Sequence, residues 1–80
     1  MPGYLLLLFM EPFKKTINNI EFEFLGIVEG NDEVCRVRTE YQEFKMTTDD
    51  DGNWRILQQV PSWVKELEDS LGAAIDKEYN

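Results

Sequence analysis

The stretch Phe13–Phe24, which reads FKKTINNIEFEF, decides the fold. Two adjacent asparagines, Asn18 and Asn19, lie between segments in which apolar and polar residues alternate. Asparagine tolerates positive φ better than other non-glycine residues, so this pair predicts a two-residue type I′ turn. That turn places Ile17 opposite Ile20. The pattern therefore predicts an antiparallel hairpin with one apolar face and one polar face.

The same register sorts the other side chains of this hairpin. Phe13 faces Phe24 on the apolar side, where the two rings can pack. The polar side is expected to pair Lys14 with Glu23 and Thr16 with Glu21. Lys15 is the exception, because it falls on the apolar side opposite Phe22 and must extend its charged end past an edge.

Two further turn signals continue the antiparallel pattern. Gly30–Asn31 fits a type II′ turn, which takes glycine at its first central position. Asp50–Gly52 fits a three-residue loop with Gly52 in the left-handed conformation. The pairs expected from these turns are Phe24 with Val37, Phe22 with Thr39, Ile20 with Tyr41, Glu23 with Arg38, Thr48 with Trp54, and Met46 with Ile56.

The apolar positions change parity in the middle of the chain. Cys35, Val37 and Tyr41 share one parity, whereas Phe44 and Met46 have the other. A β-bulge near Gln42–Glu43 would restore one continuous apolar face and bend the strand. A break into two strands is the alternative.

The C-terminal part predicts one helix after a strand that runs to Val60. Pro61 can begin a helix, and Ser62 is a candidate N-cap. Gly72 should weaken this helix by about 1 kcal/mol relative to alanine. The apolar stripe at helical spacing consists of Val64, Leu67, Leu71, Ala74 and Ile75, and the polar residues expected largely off it are Lys65, Glu66, Glu68, Asp69 and Asp76.

Eighty residues, 42% of them hydrophobic, indicate a single small globular domain spanning residues 1–80. The apolar run Tyr4–Met10 is bounded by Pro2-Gly3 and Pro12, which favours a strand over a helix. The fold class expected is α+β: a bent antiparallel sheet of four or five strands, a meander of hairpins, with one C-terminal helix packed on it.

Charge and cysteine content limit the partners and the compartment. The net charge of −8 argues against direct contact with nucleic acid or with anionic membrane surfaces, because both need clustered Lys and Arg. Tyr4–Met10 is far shorter than the roughly 20 residues that cross a bilayer, so no membrane partner is expected. Cys35 is the only cysteine, which indicates a reducing compartment, the cytoplasm.

Catalytic chemistry has little support in this sequence. There is no histidine, so the commonest general base and zinc ligand is missing, and no phosphate-binding glycine motif occurs. We therefore predict no enzyme, no catalytic residue, no metal, no cofactor and no small-molecule ligand. The acidic segment Asp49–Asn53 resembles part of a calcium loop, but Thr47 and Gln58 stand where the terminal ligands belong. A turn explains this segment, and a weak cation site is the alternative.

Apolar residues also occur on the polar face of the sheet. Leu25 and Ile27 share that face with Arg36 and Arg38, which makes a mixed apolar and charged patch. Trp63 is a further candidate, because tryptophan is enriched at interface hot spots. The candidate interface is therefore Leu25, Ile27, Arg36, Arg38 and Trp63, whereas Trp54 is assigned to the core by strand parity.

These observations lead to a small acidic, non-enzymatic protein-interaction module that associates with itself. Marginal size, open sheet edges and apolar residues on both faces favour this hypothesis. One alternative is an acidic inhibitor or nucleic-acid mimic that binds a basic protein, since complementary charge speeds association. The other is a curled-sheet domain that binds a small ligand or acts as an enzyme.

Overall fold

A computed structural model describes residues 11–79 of the chain. The strand predicted at Tyr4–Met10 lies outside the described residues. The elements are β1 (Phe13–Ile17), β2 (Ile20–Glu29), β3 (Asp32–Arg38), β4 (Glu43–Thr48), β5 (Trp54–Ile56), α1 (Ser62–Lys65) and α2 (Glu68–Tyr79). The strands pair antiparallel in the order β1-β2-β3-β4-β5, a simple meander, and α2 packs on the sheet. The predicted α+β class is confirmed.

The first hairpin has the predicted turn and register. Asn18 and Asn19 have φ angles of 52° and 64°, the two positive values that a type I′ turn requires. Ile17 pairs with Ile20, and the same register holds along the whole of β1. The rings of Phe13 and Phe24 stack with centroids 4.5 Å apart. The alternation read from the sequence therefore fixes which side chains enter the core.

The other two predicted turns are also confirmed. Gly30 has φ 61°, and β2 and β3 pair from the residues on either side of Gly30–Asn31. In the third turn, Gly52 has φ 84° and its N–H donates to the Asp49 carbonyl at 3.0 Å. The Asp49 N–H donates to the Asn53 carbonyl at 2.9 Å, which closes a three-residue loop.

The β-bulge at Gln42–Glu43 is wrong, and the alternative of two strands is correct. β3 ends at Arg38, so the expected partners Thr39 and Tyr41 do not pair with β2. The Thr39 hydroxyl oxygen accepts hydrogen bonds from the N–H groups of Tyr41 (3.1 Å) and Gln42 (2.9 Å). This threonine turn competes with continued strand pairing and reverses the chain into β4.

The last strand ends at Ile56 rather than at Val60. The Leu57 N–H still donates to the Lys45 carbonyl at 2.9 Å. The N–H of the same residue, Lys45, donates to the side-chain Oε1 of Gln58 at 2.8 Å. Because the Gln58 side chain satisfies the β4 amide, the backbone is free to leave the sheet toward the helices.

The helical region differs from the prediction in its first turns. Pro61 is the N-cap residue and no side chain caps α1, so the predicted cap at Ser62 is wrong. The region is divided at Glu66–Leu67 into a short helix and a longer one. The predicted apolar stripe is confirmed, because all five of its residues are buried: Val64, Leu67, Leu71, Ala74 and Ile75.

The core lies between the apolar stripe and one face of the sheet. Its sheet side is formed by Phe22, Phe24, Cys35, Val37, Phe44, Met46 and Trp54. Cys35 is fully buried, and burial raises the pKa of its thiol to about 12. The thiolate is therefore negligible near neutral pH, which confirms Cys35 as a core residue rather than a reactive thiol.

Gly72 allows α2 to approach β5 closely. A Cβ atom at this position would lie 3.0 Å from the Cβ of Trp54. Both atoms are attached directly to backbone, so neither can rotate away from the contact. The glycine that looks unfavourable from helix propensity alone therefore suits a close packing contact between α2 and β5.

We expect Gly72→Ala to lower the stability of the fold. Helix propensity favours alanine by about 1 kcal/mol, but overpacking a rigid contact costs typically 1–3 kcal/mol. Urea unfolding followed by circular dichroism measures the net change. Ala73→Gly, at the neighbouring exposed position, is the control for propensity alone. A stabilised Gly72→Ala variant would contradict the close approach of α2 to Trp54.

Candidate functional site

The sheet has a second face that points away from α2, here called the outer face. Cross-strand partners share a face and successive residues alternate, so the register defines its members. They are Lys14, Thr16, Glu21, Glu23, Leu25, Ile27, Glu29, Asp32, Val34, Arg36, Arg38, Glu43, Lys45, Thr47 and Arg55. Four of the five residues predicted from the sequence as an interface lie on this face: Leu25, Ile27, Arg36 and Arg38.

Apolar side chains lie at the centre of the outer face. Leu25 and Ile27 are half-buried, and Val34, the cross-strand partner of Ile27, is 2% exposed. Leu25 pairs with Arg36 and borders a small cavity of about 100 Å³, which Pro12 also lines. The centre of this face thus combines apolar side chains with a shallow depression.

Ion pairs surround this apolar centre. Arg38 bonds to Glu23, and Lys45 bonds to Glu29. The other two pairs are longer: Arg36 Nε lies 3.4 Å from Glu43 Oε2, and Lys14 Nζ lies 4.0 Å from Glu21 Oε1. Four of the five basic side chains of the outer face therefore have an acidic partner on the same face, and the fifth, Arg55, bonds instead to Asp49 of the turn and to Glu68 of α2.

These ion pairs balance the charge of the outer face but contribute little to the free energy of unfolding. Exposed ion pairs contribute about 0–1 kcal/mol each. The hydrogen bond and charge of Arg38 hold the pKa of Glu23 below its usual value, so this carboxylate stays ionised and paired. Because acid and base are nearly balanced here, most of the net charge of −8 lies elsewhere, notably in the turn Asp49–Asp51 and along α2.

Trp63 lies apart from the other four predicted interface residues. It belongs to α1 and is 38% exposed. A groove of about 490 Å³ at the end of the sheet connects it to the outer face, since Trp63, Tyr41, Ile20 and Arg38 all line it. The structure therefore supports two adjoining surfaces rather than one patch.

The acidic turn at Asp49–Asn53 uses its carboxylate within the hairpin. Asp49 Oδ1 accepts hydrogen bonds from the N–H groups of Asp51 (2.9 Å) and Asn53 (3.0 Å). Its Oδ2 accepts from Arg55 Nε at 3.0 Å. The bonds from Asn53 and Arg55 hold the pKa of Asp49 below its usual value. Across residues 11–79, no group of His, Cys, Asp and Glu is placed to hold a metal ion.

Glu68 is the polar residue that sequence reasoning misplaced. The sequence places it among the residues largely off the apolar stripe, but it is only 6% exposed. Its Oε2 accepts from the Ile56 N–H at 2.8 Å and from Lys65 Nζ at 3.1 Å, and Oε1 lies 3.4 Å from Arg55 Nη1. Burial raises the pKa of Glu68, but the bonds from Ile56 and Lys65 outweigh it and lower the pKa overall.

Glu68 therefore links the start of α2 to the edge of β5 that faces away from β4. Ile56 pairs with β4 in the last strand of the sheet, where an edge amide needs a partner from outside the sheet. One signal in the sequence could have identified this role. Glu68 lies four residues after Val64 and three before Leu71, which places an acid within the buried stripe.

No protein-family model, curated protein or solved structure matches this chain significantly. In the part of the chain that the structure describes, no helix has the length and apolar character needed to cross a membrane.

Proposed function

We propose that this protein is a small, non-enzymatic interaction module that forms a reversible homodimer through the outer face of its sheet. The observation that carries the proposal is the apolar centre of Leu25 and Ile27 inside a ring of internally neutralised charges. Apolar centres with polar rims are the usual anatomy of protein interfaces.

Charge selects this face for contact between two copies. Each copy carries −8, so most relative orientations are opposed by repulsion. The outer face is the part of the described sheet where acidic and basic side chains nearly cancel. A two-fold axis through its centre would bring Leu25 and Ile27 of both copies together. It would also place basic side chains of one copy beside acidic side chains of the other.

The size of the face sets the strength of association. Strands about 4.8 Å apart and about 3.3 Å per residue give a five-stranded face of roughly 20 Å by 20 Å. This is smaller than the roughly 800 Å² that each partner contributes to a standard stable interface. We therefore expect a weak dimer with a dissociation constant of about a hundred micromolar, so its population should change with dilution.

The proposed compartment rests on Cys35, and the proposed class of partner rests on the outer face. The single, buried Cys35 needs no oxidising environment, and we propose the cytoplasm as the compartment. The partner is a protein, namely a second copy. Neither nucleic acid, membrane, cofactor nor small molecule is part of the proposal, because the outer face presents paired charges around aliphatic side chains.

We expect Ile27→Asp to abolish self-association. The substitution places an unpaired charge at the apolar centre, and desolvating it between two copies would cost several kcal/mol. Sedimentation velocity over a hundredfold range of concentration measures the dissociation constant. Leu57→Asp is the matched control, because Leu57 is 51% exposed and lies outside the outer face. It should dimerise as the unmodified chain does.

A second measurement keeps the proposal testable if Ile27→Asp fails to fold. In the unmodified chain, amide chemical shifts recorded during dilution identify the residues whose surroundings change on dissociation. The proposal predicts changes at Leu25, Ile27 and Arg36. Changes confined to α2 or to the turn at Asp50–Gly52 would contradict it, and so would the loss of dimer in Leu57→Asp alone.

A further inference from the structure

The groove beside Trp63 arises where β2 and β3 diverge. Their pairing ends at Glu23 and Arg38, although β2 extends to Ile20. One wall of the groove is formed by Lys14, Asn19, Ile20, Glu21 and Glu23, and the other by Arg38, Thr39, Glu40 and Tyr41. The groove is therefore a gap between the start of β2 and the turn that follows β3, here called the strand gap, with Trp63 also lining it.

The backbone of Glu21 faces the strand gap. Residues that flank a two-residue turn form a hydrogen-bonded pair, and bonded pairs then alternate with non-bonded ones. Starting from the turn at Asn18–Asn19, this alternation directs the N–H and carbonyl groups of Ile20 and Phe22 toward β1. The N–H and carbonyl of Glu21 therefore point to the opposite side of β2. Counting from Glu29 gives the same assignment. No residue of the described strands stands opposite Glu21 on that side.

The strand gap offers one carboxylate to a cation, that of Glu40, because Lys14 and Arg38 are paired with Glu21 and Glu23. Tyr41 is 79% exposed and Trp63 is 38% exposed, so two aromatic rings border it. Among the described residues, Glu40 takes part in no ion pair, and its carboxylate raises the pKa of the Tyr41 hydroxyl. Aromatic faces and a carboxylate together attract a guanidinium or ammonium group, and the net charge of −8 adds a long-range attraction.

We infer that the strand gap binds an extended, basic segment of a partner protein. The segment adds a short strand beside β2, with its backbone bonded to the N–H and carbonyl of Glu21. An arginine or lysine side chain of the segment lies between Trp63, Tyr41 and Glu40. This site borders the outer face, because Glu21, Glu23 and Arg38 belong to both, but it does not include the apolar centre of Leu25 and Ile27.

The test uses a capped pentapeptide of alternating threonine and valine with a central arginine. Titration into the ¹⁵N-labelled protein should shift the amide of Glu21 and the indole N–H of Trp63. A peptide with central citrulline keeps the shape but removes the charge, and a peptide with N-methylated backbone removes strand pairing. Both should bind about tenfold more weakly or worse.

Variants of the protein complete the test. Glu40→Gln and Trp63→Ala should each weaken binding of the arginine peptide severalfold, whereas Leu57→Ala, at another exposed apolar position, should leave it unchanged. Glu40 is exposed, so Glu40→Gln tests the site with little effect on the fold. Equal binding of the citrulline peptide, shifts centred on Leu25 and Ile27, or no shift at millimolar peptide would each overturn the inference.

Discussion

Trp54→Ala should unfold most of the protein or leave it barely stable. Trp54 is 4% exposed and joins β5 to α2 through its contact with Gly72. Removing a buried tryptophan costs about 3–5 kcal/mol, and a domain of this length has roughly 4–12 kcal/mol in total. Urea unfolding followed by circular dichroism should show the loss as a large drop in the midpoint.

The two tryptophans provide a matched comparison for this prediction. Trp63 is 38% exposed, so Trp63→Ala should cost much less than Trp54→Ala. Trp54→Phe keeps most of the apolar volume but removes the bond from Nε1 to Asp76 Oδ1, which is 3.0 Å long. That variant should lose about 1 kcal/mol for the hydrogen bond, plus a packing term. Similar losses for Trp54→Ala and Trp63→Ala would contradict the described core.

Glu68→Leu should destabilise the fold by about 2 kcal/mol, although it places an apolar residue within an apolar stripe. Leucine has a similar size but cannot accept the hydrogen bond from the Ile56 N–H. A buried amide left without an acceptor costs about 1–3 kcal/mol. If Glu68 were simply an acid on an exposed helix face, leucine would be neutral or stabilising, and that result would contradict the assigned role.

Acid titration gives an independent readout of Glu68. Its pKa in the folded protein lies below its usual value of 4.5. A carboxyl with a lowered folded pKa stabilises the protein above the unfolded value and loses that contribution as the pH falls through the folded value. Stability should therefore fall progressively below pH 4.5. Glu68→Gln keeps an acceptor for Ile56 and should show a smaller fall, with Asp49 among the groups that contribute the remainder.

The alternation of side chains predicted most of the sheet because local turns and long-range burial agree there. Asn18-Asn19 fixed one register, and the buried positions of β2 follow from it. The β3–β4 turn was predicted less well, because its signal is a single threonine whose hydroxyl competes with strand pairing. Thr39 is equally compatible with a strand by propensity, so the sequence left the bulge and the break as alternatives.

The features that the sequence did not predict depend on tertiary contacts. Gly72 is unfavourable for an isolated helix, and only the position of Trp54 shows why a glycine fits there. Glu68 looks like a solvated acid until the edge of β5 lies beside it. The candidate interface shows the same division: parity placed Leu25, Ile27, Arg36 and Arg38 on one face, but could not place Trp63 beside the strand gap.

The most direct test of the central claim is the light-scattering mass of the unmodified chain after size-exclusion chromatography. It should be measured at about ten micromolar and at about one millimolar, on either side of the dissociation constant of about a hundred micromolar expected for a small interface. Self-association through the outer face predicts a mass that rises toward twice the 9.4 kDa of one chain at the higher concentration. A mass of one chain at both concentrations would contradict self-association through the outer face.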